Sequence, residues 1–299
     1  MNERHFLPVK FAVILFGLML FPAITAAQFG SFSKQELIEF TREWTGERFE
    51  DGRPKVSDDI LERMKSVSIE EAWGVLQSKG YTQQFAGNWI NIHPDRVIVG
   101  RAVTASFMPL RPDIHSITQE RGTAMGCIGG QNSWVIDTLV ENDLIVVDVF
   151  GKIVNGPYAG DNLANSIAAK SKTGMVINGS IRDLDGIYEI PDFNAFVRGI
   201  DPTAIRDATL MGINIPIRVD QVTVMPGDVV LGRREGVIFI PPHLTEEVVI
   251  SSERIRLQDE FGHQRLREGK YTPGEIDRKW TPEIEKDFED WKKSRQQNK

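Results

Sequence analysis

GDNLANSIAAKSKTGMVINGSIRD, residues 160–183, is the stretch whose reading decides the fold of this chain. Gly160-Asp161 opens a segment in which Leu163, Ala164, Ile167 and Ala168 share one helical face. Lys170 and Lys172 fall in its last turn, where cations suit the negative end of the helix dipole, and Gly174 reads as its stop. Met175 to Asn178 then reads as a short buried strand that runs through Gly179-Ser180 and delivers Arg182 beside Asp183. Upstream, LIVVDVF at 144–150 is a continuous apolar run of strand length, suited to a sheet covered on both faces. Strand, helix, strand in this order predicts a crossover unit with its ligand side at the carboxyl ends of the strands.

On either side of this unit the pattern changes. Ser33, Ser57 and Ser68 each precede a helical segment, and Ser68 with Glu71 makes a capping box. Leu37, Ile38 and Phe40 are expected on the apolar face of the first helix, and Gly80 ends the third. VIVGRAVTASF (97–107) is strand-like and QNSWVIDTLV (131–140) helical. INIPIRVDQVTVMPGDVVLGRREGVIFIP (213–241) reads as short antiparallel strands broken by turns at Pro226-Gly227-Asp228 and 233–236. From Thr245 the chain is helical and charged, an exposed or subunit-wrapping tail in which Trp280 and Trp291 are packing anchors.

The first 27 residues have the order of a secretory signal: Arg4 and Lys10, an apolar run from Phe11 to Phe21, then Thr25-Ala26-Ala27. Eleven apolar residues fall short of the roughly 20 that span a bilayer. Cleavage near Ala27 and a periplasmic or secreted chain are therefore expected, with an N-terminal membrane anchor as the alternative. The full chain carries 35 Lys and Arg against 42 Asp and Glu; without Arg4, Lys10 and Glu3 the net charge moves from −7 to −8. That balance, with no basic cluster, argues against a nucleic-acid surface. Cys127 is the one cysteine, so no internal disulfide forms; within AMGCIGG it reads as a packed small residue. His93, His115, His243 and His263 are scattered, with no metal-ligand spacing.

Two features carry chemistry. Gly160-Asp161-Asn162-Leu163 opens a helix, where free amides and the positive dipole end suit an anion, and Gly160 lets backbone approach a ligand. Read locally, Asp161 is equally a plain helix cap. Arg182 offers a planar fork for a carboxylate, and Asp183 a hard oxygen for Mg²⁺ or Mn²⁺. Read locally, that pair is equally a solvated turn ion pair worth less than about 1 kcal/mol.

The ordered series from Gly160 to Asp183 resembles the RraA-like proteins, which include 4-hydroxy-4-methyl-2-oxoglutarate/4-carboxy-4-hydroxy-2-oxoadipate aldolases and the regulator of ribonuclease E activity A. IVGRAVTA (98–105), NDLIVVDVFG (142–151), VRGIDPT (197–203) and INIPIRVDQVTVMPGDVVLGRREGVIFIPP (213–242) add to the resemblance, which covers about residues 85–245. It implies an α/β fold, a three-layer β/β/α sandwich, here with extra N- and C-terminal helices. The organisation expected is a signal peptide (1–27), an N-terminal helical segment (28–80), the core domain (81–245) and a C-terminal helical tail (246–299). The resemblance also implies a divalent-metal-dependent lyase, assembled as a homotrimer or hexamer, that cleaves a small 2-oxo acid to pyruvate by retro-aldol cleavage or oxaloacetate decarboxylation. Gly160, Asp161, Asn162 and Leu163 would bind the 2-oxo acid through backbone amides, Arg182 its carboxylate, and Asp183 the metal; Asp161 would hold a metal-bound water. Asn162 stands where the family has leucine, and the acidic residues that a neighbouring subunit supplies in the aldolases have no match. Three alternatives compete: a Schiff base on Lys170 or Lys172, a methyl-donor or nucleotide loop at VVDVFGKIVNGPYAG, and a non-catalytic protein-binding module on the same fold.

Overall fold

The structure, a computed structural model, describes residue 30 and residues 32–297; the expected signal peptide lies outside the described residues. The chain begins with α1 (Lys34–Phe40), α2 (Asp58–Met64) and α3 (Ile69–Ser78). Ser33 and Ser68 close capping boxes with Glu36 and Glu71, and the Ser57 hydroxyl accepts the Ile60 amide. Leu37 is buried as expected; Phe40 is instead exposed and stacks on Phe32.

Next come β1 (Phe85–Ala86), β2 (Ile90–Asn91), β3 (Ile98–Pro109), α4 (Pro112–Ala124), α5 (Gln131–Asp137) and β4 (Asp143–Asp148). The central unit is α6 (Asp161–Ser171), β5 (Met175–Ile181), α7 (Leu184–Tyr188) and β6 (Ala195–Ile200). Then follow β7 (Ala208–Ile213), β8 (Ile217–Val219), β9 (Val222–Val224), β10 (Val229–Arg233) and β11 (Gly236–Ile240). The tail is α8 (Thr245–Arg267), α9 (Pro273–Ile276) and α10 (Pro282–Gln297).

Nine strands form one mixed sheet in the order β1-β11-β10-β3-β4-β5-β6-β2, with β7 also paired to β3. The pairs β3–β4, β4–β5 and β5–β6 are parallel, and the others are antiparallel. Successive side chains of a strand point to opposite faces, which sorts the core. Val103, Ile145, Val147, Ile177 and Val197 pack with Trp134, Ala164 and Ile167 of the helices. On the same face, toward the β1 edge, Val99, Leu231, Ile238 and Ile240 pack with α2, α3 and α8. Their strand neighbours Ala102, Leu144, Val146, Val176, Phe196, Val230 and Phe239 meet Ile217, Val219, Val222 and Val224 of the β8–β9 hairpin. Helices, sheet and hairpin are the three layers of an α/β, β/β/α sandwich. Among the described residues no helix is long and apolar enough to cross a membrane.

The end of α6 differs from expectation. Lys172 takes the left-handed cap, with φ 59°, and its amide donates to the Ala168 carbonyl. Gly174 is required for another reason: a Cβ there would lie 2.2 Å from the Asn194 carbonyl oxygen, where β5 runs beside the segment entering β6.

Candidate functional site

A short parallel pairing brings the two halves of the 160–183 motif together. Pro157 pairs with Ser180, the Tyr158 amide donates to the Ser180 carbonyl at 2.8 Å, and the Arg182 amide donates to the Ala159 carbonyl at 3.0 Å. The next residues on the two segments, Gly160 and Asp183, therefore meet. A Cβ on Gly160 would stand 2.3 Å from Asp183 Oδ2 and 3.1 Å from Arg182 Nε. Only glycine lets the carboxylate lie against this helix start.

Neighbouring side chains hold the pairing in place. The buried Tyr158 hydroxyl donates to the Asn132 carbonyl at 3.0 Å, and Asn132 Nδ2 returns a bond to the Tyr158 carbonyl at 2.8 Å. Burial pushes the Tyr158 phenol well above its ordinary range, so it stays a donor. Nothing in the local spacing identified this residue pair, which is 26 positions apart in the chain.

Gly160 is the N-cap of α6 and contributes no side chain, so Asp161 is the first helical residue and not the cap. Asp161 Oδ1 accepts the Asn162 amide at 2.8 Å. The amides of Asp161 and Leu163 take no hydrogen bond among the described residues, leaving donors at the positive end of an eleven-residue helix. The Asp161 side chain lies over Gly186 of α7, where a Cβ would come within 2.8 Å of the Asp161 Cβ and 3.1 Å of Oδ2.

Asp183 precedes α7 in the left-handed region, φ 55° and ψ 47°, which aspartate tolerates. Its carboxylate makes no capping bond to that helix. Arg182 Nε is 3.5 Å from Asp183 Oδ2, and both side chains are more than two-fifths exposed. Such a pair adds under about 1 kcal/mol to stability. Among the described residues the Arg182 guanidinium contacts Asp183 through Nε, which leaves the terminal nitrogens for a ligand.

As a donor set this is one open carboxylate, with a second at Asp161. Among the described residues no group of three or more His, Cys, Asp or Glu side chains is gathered for a metal. A hard divalent cation that keeps several waters, as Mg²⁺ does, fits a single protein carboxylate completed by a chelating ligand.

On the hairpin face of the same strand ends runs a polar row missed by sequence reading. Asn178 Nδ2 donates to Asp148 Oδ1 at 2.8 Å, and Arg198 Nε donates to Asn178 Oδ1 at 3.2 Å while its guanidinium lies 3.6 Å from the Trp89 ring centroid. Burial raises the Asp148 carboxyl above its usual range. Reading 144–150 as one continuous apolar run concealed it.

Other candidates fall away from this place. Lys170 reaches the Asp137 carbonyl at 3.3 Å and Lys172 caps α6, at the helix end about 16 Å from Gly160. The four histidines among the described residues stay apart: Nε2 of His93 contacts the Tyr188 carbonyl, His115 pairs with Thr209, and His243 with Tyr81. Cys127 is a half-buried free thiol raised by burial.

Comparison with known proteins agrees with the fold. A protein of Halalkalibacterium halodurans named "Putative 4-hydroxy-4-methyl-2-oxoglutarate aldolase" is 27% identical over 161 residues, 53% of this chain and 75% of that protein. Protein DlpA of Legionella pneumophila is 27% identical over 206 residues, 68% of this chain but 31% of its own length. Streptomyces coelicolor RraAS2, described as an unusual member of the RNase ES inhibitor RraA family, superposes with a TM-score of 0.61 at 22% identity, covering 71% of this chain and 100% of that one. An uncharacterized Pseudomonas syringae protein gives a TM-score of 0.63 at 19% identity, covering 78% and 98%. Residues 54–239 match the family pattern described as RraA-like, Aldolase/RraA; with well over half its length inside that pattern, this chain belongs to the RraA-like family.

Proposed function

We propose that the chain is a divalent-metal-dependent carbon–carbon lyase acting on a small 2-oxo acid and releasing pyruvate. The observation that carries this reading is the meeting of Gly160 with Arg182 and Asp183, which sets a cation and a carboxylate against the start of a helix with free amides. The names of the aldolase relatives support it.

In this reading the Arg182 fork takes the substrate carboxylate in paired hydrogen bonds, each worth about 1.5–3 kcal/mol. The amides of Asp161 and Leu163 take the remaining anionic oxygen, and Gly160 leaves room for it. Asp183 holds a Mg²⁺ or Mn²⁺ ion, which supplies Lewis-acid stabilisation of negative charge developing on the 2-oxo group. In retro-aldol cleavage the 4-hydroxyl proton leaves, the C3–C4 bond breaks, and its electron pair stays on C3 as an enolate that is then protonated to pyruvate. Oxaloacetate loses CO₂ from the same position and yields the same enolate, so one site serves both reactions. Asp161 orients a water for the proton transfers. The protein acts as an exported homotrimer or hexamer; the basic-apolar-small order of residues 1–27 supports export.

Pyruvate release from oxaloacetate and from a 4-hydroxy-2-oxo acid, read by coupled NADH oxidation, tests the proposal. Activity should vanish with chelator, return with Mg²⁺ or Mn²⁺, and be lost in Asp183→Asn. Arg182→Ala should raise KM by about 10- to 100-fold. Activity that survives chelation refutes the metal role. Absence of turnover across a panel of 2-oxo acids, together with tight retention of one protein partner, would instead assign the fold a binding role.

A further inference from the structure

At the amino ends of the parallel strands lies a cavity of about 240 Å³. It is walled by α1, the segment after it, the β9–β10 turn and the residues following β11. Phe40, Trp44, Tyr81 and Met225 supply apolar surface, and Asp228 and His243 supply polar atoms. This is the other end of the sheet from Gly160. Asp228 precedes β10, and its carbonyl accepts the amide of Ala102, which pairs with Leu144 near the start of β4.

Asp228 is the unusual member. It is 2% exposed, yet lines the cavity. Its Oδ2 accepts the Met225 amide at 2.8 Å, closing the Pro226-Gly227 turn. Its other carboxyl oxygen has no partner among the described residues. Burial pushes the group up to about 7. A buried carboxylate without a counter-charge is costly, and no lysine or arginine lines this cavity. The other titratable groups facing it are Glu43, Tyr81 and His243. Burial holds His243 below its ordinary range, so it adds no positive charge at neutral pH, and its Nε2 lies 3.3 Å from the Tyr81 hydroxyl. Glu43, at the exposed rim, adds a second negative group.

Acid at the floor, acid at the rim, and aromatic rings between them form an environment for a cation with an apolar body. We propose that this cavity binds a small organic ammonium, its nitrogen against the free oxygen of Asp228 and its hydrocarbon part against Phe40, Trp44 and Tyr81. The volume limits the ligand to a few carbon atoms, below drug size. The site stands apart from the lyase reading and does not depend on it.

Calorimetric titration of the full chain with n-butylammonium chloride, and separately with n-butanol of the same shape, tests this. Saturable one-to-one binding of the ammonium is expected, at least about 10-fold tighter than the alcohol. Asp228→Asn keeps an acceptor for the Met225 amide, removes the charge, and should erase that preference. Should this variant fail to fold, Glu43→Gln at the rim should weaken ammonium binding alone. Binding by wild type should also release protons between about pH 6 and about pH 8, seen as a buffer-dependent heat. Equal binding of alcohol and ammonium, no saturable binding of either, or an undiminished preference in Asp228→Asn would overturn the proposal.

Discussion

Gly160→Ala isolates the contact on which the site rests. Gly160 has φ −109° and ψ −168°, an extended backbone open to any residue, so the substitution adds no backbone strain. The new methyl would land 2.3 Å from Asp183 Oδ2 and 3.1 Å from Arg182 Nε. Unstrained contact needs about 3.5 Å, so the carboxylate must retreat by about 1 Å. It is the end of an exposed side chain, and its retreat costs the fold little, within about 1 kcal/mol. A reacting group displaced by that distance lowers rate by about 100-fold, or about 2.7 kcal/mol of transition-state stabilisation. The assay pairs pyruvate release under saturating Mg²⁺ with a thermal melt. The expected result is kcat/KM down by about two orders of magnitude with a melting shift of no more than a few degrees. Wild-type turnover in Gly160→Ala would refute the argument that Asp183 works from its present position.

Asp143→Asn should cost about 3–5 kcal/mol in urea unfolding, because Arg53 grips the carboxylate at 2.7 and 3.1 Å and Arg101 stands 4.0 Å away with almost no exposure; a loss under about 1 kcal/mol would show the network to be solvated. The raised Asp228 carboxyl, at about 7 in the fold against an ordinary value near 3.9, means the folded chain holds the proton longer than the unfolded one. Its contribution is therefore fully present below about pH 4 and is lost as pH rises to about 7, by roughly 4 kcal/mol; urea midpoints of wild type and Asp228→Asn should differ in slope over that range, and parallel profiles would contradict the burial argument. Phe261→Ala removes the ring at the centre of Tyr271, Trp280, Phe288 and Trp291 and should loosen the tail by about 3–5 kcal/mol. Trypsin should then cut within residues 265–297 well before the sheet unfolds, and uniform protection would refute this.

Legibility in the sequence followed the range of the interaction. The serine caps at 33, 57 and 68 were readable because each partner lies three residues on. The buried strands β4 and β5 were readable from apolar runs, and the Trp280 and Trp291 anchors from their isolation in a charged tail. Helix α4 went unread: it buries only Thr118 and Gly122, and Gly122 is there to admit the Trp134 ring; Pro112 at its first turn was the available signal. The site motif was legible as a list of residues. Its convergence was not, because it depends on 157–159 running beside 180–182 under the hold of Tyr158 and Asn132. The Asp228 cavity was less legible still, since its walls come from four separate parts of the chain; the Pro226-Gly227-Asp228 turn was read correctly, but burial of its carboxyl is a tertiary fact.

The two ends of the sheet are built on opposite principles, and this bears on the helical ends of the chain. At the carboxyl ends, Arg182 and Asp183 are half exposed and hydrogen-bonded to little, as a ligand-exchanging site requires. At the amino ends, Arg53, Asp143 and Arg101 are sealed from water, with the Phe49 ring against both guanidinium groups. Asp143 begins β4, while Arg53 comes from the segment between α1 and α2, ninety positions earlier. Removing residues 34–78 would leave the buried carboxylate with Arg101 as its one cation among the described residues, and would uncover Val99, Leu231, Ile238 and Ile240 where α2 and α3 now pack. Arg63 of α2 is in turn gripped by Glu253 of α8 at 2.8 and 2.9 Å. The N-terminal helices and the start of the tail thus close the amino end of the sheet. Strand β5, which leads into Arg182 and Asp183, pairs with β4, whose first residue is Asp143; the open site is thus joined through β4 to helices that never touch it.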